Sequence, residues 1–194
     1  MSLAEAEENC KATLHAARAS GLATRAYIAV AWECPFEGMT DPDTVVRLAA
    51  AMHVAGAGEI VIADTIGAAA PAQVSALLRV LTQSIPLDRL AVHFHDTRGM
   101  GVANAYAALA AGVRRFDASV GGIGGCPFAP GAAGNLATED LVVLADQCGF
   151  ITGIKLDALL LAVDLSEAFL GRPLGGRSMP WLRNRQQKSA AQSV

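Results

Sequence analysis

Four short apolar runs, each followed by a helix pattern, constrain this chain more than any other feature. The runs are 25–31 (RAYIAVA), 59–63 (EIVIA), 90–94 (LAVHF) and 115–119 (RFDAS), with centres roughly 25–32 residues apart. Helix patterns precede them at 4–19, lie between them at about 42–55, 71–84 and 101–111, and follow them at about 137–148 and 155–170. Asp41-Pro42 is a helix start, since Asp caps free amides and Pro suits the first helical position. Gly56 and Gly112 stand where helices stop. Short apolar strands alternating with amphipathic helices imply an α/β fold, a parallel sheet covered by helices. An open doubly wound sheet and part of a (β/α)₈ barrel both fit. A complete barrel needs roughly 250 residues and eight units. This chain has 194 residues and four units, half of a barrel.

Composition narrows the function classes. The chain is 53% hydrophobic, which excludes a disordered chain. Its net charge of −3 gives no basic field for nucleic acid or an anionic membrane surface. The apolar stretches break at charges or glycines well short of a membrane span. No signal peptide is visible at the start. Cys10, Cys34, Cys126 and Cys148 lack CxxC spacing, which fits reduced thiols in a cytoplasmic setting rather than a disulfide framework or a zinc site. Residues 1–183 read as one domain, and 184–194 (a Ser, Ala and Gln-rich run) as a loosely ordered tail.

In parallel α/β folds, function collects at the C-terminal ends of the strands. Here those ends are polar. His93-x-His95 places two imidazoles on one face of a strand, as a divalent metal requires. On spacing alone, two hydrogen-bonded core histidines fit equally. Asp96 points away from that pair and reads as a supporting or structural residue. Asp64 closes the run EIVIA; it is either a desolvated carboxyl suited to proton transfer or a cap on the turn through Thr65 and Gly67. Gly121-Gly-Ile-Gly-Gly-Cys126-Pro127 lacks the Lys-Ser/Thr ending of a phosphate loop. Gly124 and Gly125 leading to Cys126 suit a mobile lid that delivers a thiol, or a floppy loop with an incidental cysteine. Cys34 reads equally as a small buried apolar residue. Asn135 fits a helix cap or an oxygen ligand to a hard cation, with Glu139 one turn on as support.

The run from Ser119 through Cys126 and Asn135 to Asp140 closely resembles the active-site loop and following helix of the hydroxymethylglutaryl-CoA lyase family. His93-Phe-His95-Asp96-Thr97, Glu59 to Gly67 and Cys34-Pro-Phe-Glu-Gly38 are similar to the same family, and the likeness runs from about 5 to 173. It implies the second half of a TIM barrel, with four parallel strands plus C-terminal helices. It implies that His93 and His95 are ligands of Mg²⁺ or Mn²⁺, that Asn135 is an oxygen ligand, that Cys126 is catalytic and that Asp64 takes part in proton transfer. The implied reaction is cleavage of 3-hydroxy-3-methylglutaryl-CoA to acetyl-CoA and acetoacetate, in a homo-oligomeric enzyme of leucine degradation and ketone-body formation. A metal polarises the substrate oxygens, a base takes the hydroxyl proton and an acid protonates the departing enolate.

Departures from the family pattern are Gly121, Ile123, Trp32-Glu33 and Arg98, the last three positions bearing on substrate choice. The family's first-strand Asp ligand and neighbouring Arg have no counterpart here, so a truncated gene product with little activity of its own is expected. Two further readings stand beside the lyase: an enzyme acting on another 3-hydroxy-acyl-CoA, and an inactive half-barrel that serves as an assembly module through its exposed sheet edges.

Overall fold

The computed structural model describes residues 1–125 and 134–192. Helix α1 (Leu3–Ala19) starts at a Ser2–Glu5 capping box and leads into β1 (Arg25–Ile28). A small antiparallel hairpin follows, β2 (Glu33–Cys34) with β3 (Gly38–Met39). Then come α2 (Pro42–Val54), β4 (Glu59–Asp64), α3 (Pro71–Leu81), β5 (Leu90–Phe94), α4 (Gly101–Ala110) and β6 (Phe116–Asp117). Three helices finish the chain: α5 (Thr138–Gln147), α6 (Leu156–Leu170) and α7 (Met179–Gln192). The expected helix starts hold locally. Asp41 accepts from the amides of Asp43 and Thr44, each at 3.2 Å, and Pro42 occupies the first turn.

Strands β1, β4, β5 and β6 form one sheet in that order, and every pairing is parallel. Side chains alternate between the two faces. Ile60, Ile62, Leu90, Val92 and Phe94 point into a core shared with Val45 of α2, with Val74, Leu78 and Leu81 of α3, and with Ala105 and Ala108 of α4. The rows Tyr27–Val61–Ala91 and Ala63–His93–Asp117 lie side by side on the opposite face. Helices therefore cover one face of the sheet, and the other carries the candidate site.

Three boundaries differ from the sequence reading. β1 ends at Ile28, not at residue 31, because Val30 takes a left-handed backbone (φ 48°). The amide of Val30 donates to Thr65 Oγ1 at 2.9 Å, and Thr40 Oγ1 donates to its carbonyl at 2.6 Å. β6 keeps only Phe116 and Asp117 of the expected run 115–119. A further helix, α7, follows the two expected to finish the fold and runs Met179–Gln192. Its anchor is local: Met179 and Leu182 are buried against Leu160 and Val163 of α6, and Arg183 pairs with Asp164 and Glu167.

Candidate active site

The candidate residues meet where 134–137 crosses the C-terminal ends of β5 and β6. The amide of Leu136 donates to the Phe94 carbonyl at 3.0 Å, and the amide of Asp96 donates to the Gly134 carbonyl at 3.1 Å. Single bridges then pair His95 with Asn135 and Ser119 with Ala137. The strand direction thus brings Asn135 beside both histidines, whose ring centroids are 5.0 Å apart.

His95 is buried, and its Nδ1 lies 2.9 Å from the Asp64 carbonyl oxygen. A carbonyl only accepts, so Nδ1 carries the proton and Nε2 keeps its lone pair. His93 carries a buried Nδ1 with no hydrogen-bond partner. Burial and then the neighbouring His95 hold its pKa below the ordinary histidine value, against smaller opposing effects of Asp117 and the Asn135 amide. A neutral imidazole is the form that ligates a metal. Asn135 donates from Nδ2 to the Ile123 carbonyl at 2.8 Å, while its Oδ1 is buried and unpaired. Asn135 does not cap the next helix, whose N-cap is Ala137. The orphaned Asn135 Oδ1 beside a lone-pair-bearing imidazole is what a divalent cation would satisfy. Among the described residues no three His, Cys, Asp or Glu side chains cluster to hold a metal, so the set here is two imidazoles and one amide oxygen.

Asp64 is 1% exposed. Its Oδ1 accepts from the Ala68 amide at 2.8 Å and its Oδ2 from the Ala69 amide at 3.0 Å. Burial pushes its carboxyl pKa up, against the pull of those two amides. The turn-capping arrangement is therefore formed. Asp96 is structural: its Oδ1 accepts from the Gly101 amide at 2.7 Å at the start of α4.

Glu139 is fully buried, and its carboxylate takes the Gly121 amide at 3.1 Å and the Gly176 amide at 2.7 Å. It ties the glycine loop to the segment before α7 instead of approaching Asn135 as a ligand. Asp140 accepts from the amides of Arg177 and Ser178, each at 2.8 Å. Gly124 has φ +112°, and a Cβ there would stand 2.5 Å from Asn135 Nδ2. Glycine at 124 is what lets Asn135 fold under the loop. Gly125 is exposed. Cys126 and the rest of the proposed lid up to 133 lie outside the described residues.

The HMGL-like family model matches residues 1–165. The chain belongs to the HMGL-like family. It is 44% identical over 163 residues to the hydroxymethylglutaryl-CoA lyase of Bacillus subtilis, covering 84% of this chain and 54% of that protein. It is 50% identical over 157 residues to the (R)-citramalyl-CoA lyase of Chloroflexus aurantiacus, covering 81% of this chain and 50% of that protein. The solved structure of an HMG-CoA lyase from Acinetobacter baumannii, in complex with coenzyme A and 3-methylmalate, superposes with a TM-score of 0.87 at 37% identity. That match takes in 93% of this chain and 59% of the other. The chain thus spans about half the length of the curated HMGL-like relatives it matches, and its sheet is four parallel strands of a (β/α)₈ barrel.

Two departures from the HMGL-like pattern have structural explanations. Arg98 donates to the carbonyls of Gly67, Ala68 and Ala69, so it clasps the turn after β4. Trp32 is buried, its ring centroid 5.9 Å from that of Phe94, so it is a core residue. The sequence reading missed Tyr27 and Asp117. Tyr27 Oη donates to Asp117 Oδ2 at 2.6 Å, and Asp117 faces His93 across the β5–β6 register. Their signal is the period-two pattern of each strand, legible only once the register is known.

Proposed function

We propose that the protein is a divalent-metal-dependent carbon–carbon lyase that cleaves a 3-hydroxy-acyl-CoA, with 3-hydroxy-3-methylglutaryl-CoA as the first substrate. The observation that carries this reading is the meeting of His93, His95 and Asn135 at the strand ends, with Asn135 Oδ1 buried and left unpaired. The amide oxygen of Asn135 suits Mg²⁺ or Mn²⁺, the ions that the family resemblance implies, neutral imidazoles ligate divalent cations generally, and the carbonyl of Asp64 holds the His95 ring in the ligating tautomer. A cation held there supplies Lewis acidity toward the substrate's hydroxyl and carbonyl oxygens.

The chain's own groups handle the protons. Loss of the 3-hydroxyl proton converts C–OH to C=O as the adjacent C–C bond breaks, and the released pair forms the thioester enolate. Asp64 is the carboxyl available to take that proton: both oxygens are tethered, but each keeps a second lone pair, and burial has raised its pKa. Cys126 is assigned the return of a proton to the enolate carbon. Glu139 and Gly124 hold the glycine-rich approach to that cysteine over Asn135.

The three cysteines with described surroundings, Cys10, Cys34 and Cys148, are free thiols, which suits a reducing, cytoplasmic setting. Among the described residues no helix is long and apolar enough to cross a membrane.

A second substrate reading is favoured by one observation: the citramalyl-CoA lyase relative shares 50% identity, above the 44% of the hydroxymethylglutaryl-CoA lyase. The experiment supplies each acyl-CoA in turn with Mg²⁺ or Mn²⁺ and follows acyl-CoA loss and acetyl-CoA gain by mass spectrometry. Metal-dependent cleavage of either supports the lyase reading, and the preferred thioester decides the substrate. No cleavage of either, by protein that binds the metal, is the low activity that the sequence leads one to expect of this chain alone, and fits the inactive assembly module equally.

A further inference from the structure

The sheet face that carries His93 also carries an ion network to which the proposed reaction assigns nothing. Arg25 of β1 reaches across the sheet: its Nη2 donates to Asp117 Oδ1 at 2.8 Å, its Nη1 to Tyr27 Oη at 2.9 Å, and its Nε to Glu59. Arg115 holds the other oxygen of Glu59 at 2.8 Å. Tyr27 Oη in turn donates to Asp117 Oδ2 at 2.6 Å. The Asp117 carboxylate is thus fixed from two sides by β1, with β4 and β5 between them in the sheet order. Its Oδ2 lies 3.9 Å from His93 Nδ1, the buried nitrogen that no hydrogen bond satisfies. The His93 ring is held between Tyr27, edge-on at 6.4 Å, and His95, edge-on at 5.0 Å.

We propose that Asp117, held by Arg25 and Tyr27, is a positioning residue that sets the tautomer and ring orientation of His93. A carboxylate facing Nδ1 favours the proton on that atom, which leaves the Nε2 lone pair for ligation. A lone pair on Nδ1 would face a carboxylate lone pair instead, and that arrangement is repulsive. The two histidines are then set by different means: His95 by the backbone carbonyl of Asp64, and His93 by a tethered side chain.

The metal function of His93 rests on the reading above, but its tautomer does not, so the two are tested apart. Long-range ¹H–¹⁵N correlation spectra of the metal-free protein, at a pH where the imidazoles are neutral, report which nitrogen of each histidine is protonated. His93→Gln assigns the signal by its loss. His93 is expected as the Nδ1–H tautomer in the wild type and as a tautomer mixture in Asp117→Ala. Tyr27→Phe removes one tether, keeps the ring, and is expected to shift the mixture part-way. Mn²⁺ affinity in Asp117→Ala should fall by roughly 10–100-fold, the usual cost of losing a partner behind a ligand. An Nε2–H tautomer in the wild type overturns the proposal even if the variants do not fold. An unchanged tautomer in folded Asp117→Ala overturns it as well. Wild-type protein that shows the Nδ1–H tautomer but binds no Mn²⁺ removes the metal reading and leaves the positioning role standing.

Discussion

The Nδ1 atom of His95 lies 2.9 Å from the backbone carbonyl oxygen of Asp64, so the end of β4 fixes an imidazole at the end of β5. No change to the Asp64 side chain removes that acceptor directly. The carboxylate acts one step away, by holding the turn through the amides of Ala68 and Ala69. Asp64→Asn is therefore expected to keep the His95 tautomer and Mn²⁺ binding while slowing acyl-CoA cleavage. Binding isotherms alongside turnover rates check this. A loss of metal binding equal to the loss of rate would show that the side chain serves only the fold.

Glu139 is a buried carboxylate with two amide partners. Glu139→Ala leaves the buried Gly121 amide and the half-buried Gly176 amide without acceptors, at a cost of about 1–3 kcal/mol for the buried one and less for the other. Urea denaturation should show that loss, with Glu139→Gln less affected because its amide oxygen still accepts one bond.

Gly124→Ala places a methyl 2.5 Å from Asn135 Nδ2 and forces a positive φ on a residue with a side chain. The backbone strain alone is of order 1–3 kcal/mol. The expected result is displacement of Asn135 and weaker Mn²⁺ binding in protein that still folds. Gly149→Ala also has positive φ but open space around it, so it controls for strain without the clash.

Asp41 gives a pH dependence with a definite sign. The Thr44 hydroxyl first, and then the Asp43 amide, hold its pKa below the ordinary carboxyl value. A depressed folded pKa stabilises above the unfolded pKa, and that contribution fades as pH falls through the folded value. The melting temperature of the wild type should therefore exceed that of Asp41→Ala at pH 7, and the gap should narrow at acid pH. A gap independent of pH would show that the carboxylate form is not what caps α2.

Legibility in the sequence followed the range of the forces involved. β4 and β5 were readable because their apolar runs are continuous and buried on both faces. Asp41-Pro42 was readable because a cap is a local contact. The end of β1 was not, since Val30 turns under the influence of Thr65 and Thr40, which belong to other segments. Helix α7 was hidden because its polar sequence is anchored by Met179 and Leu182 meeting α6. At the site, the period of two in His93-x-His95 exposed the pair, and the family likeness supplied Asn135. The Asp117–His93 relationship needed the register of β5 against β6, and the hold of Glu139 on Gly176 needed the path of the chain after α6.

The central claim is that His93, His95 and Asn135 form one divalent-metal centre, and electron spin-echo spectroscopy of the Mn²⁺-loaded protein tests it most directly. The account predicts bound Mn²⁺ coupled to the ¹⁴N nuclei of two imidazoles. One coupling should vanish in His93→Gln and the other in His95→Gln, and Asn135→Ala should weaken binding while keeping both. Mn²⁺ bound without imidazole nitrogen coupling, or with couplings untouched by either histidine substitution, would contradict it.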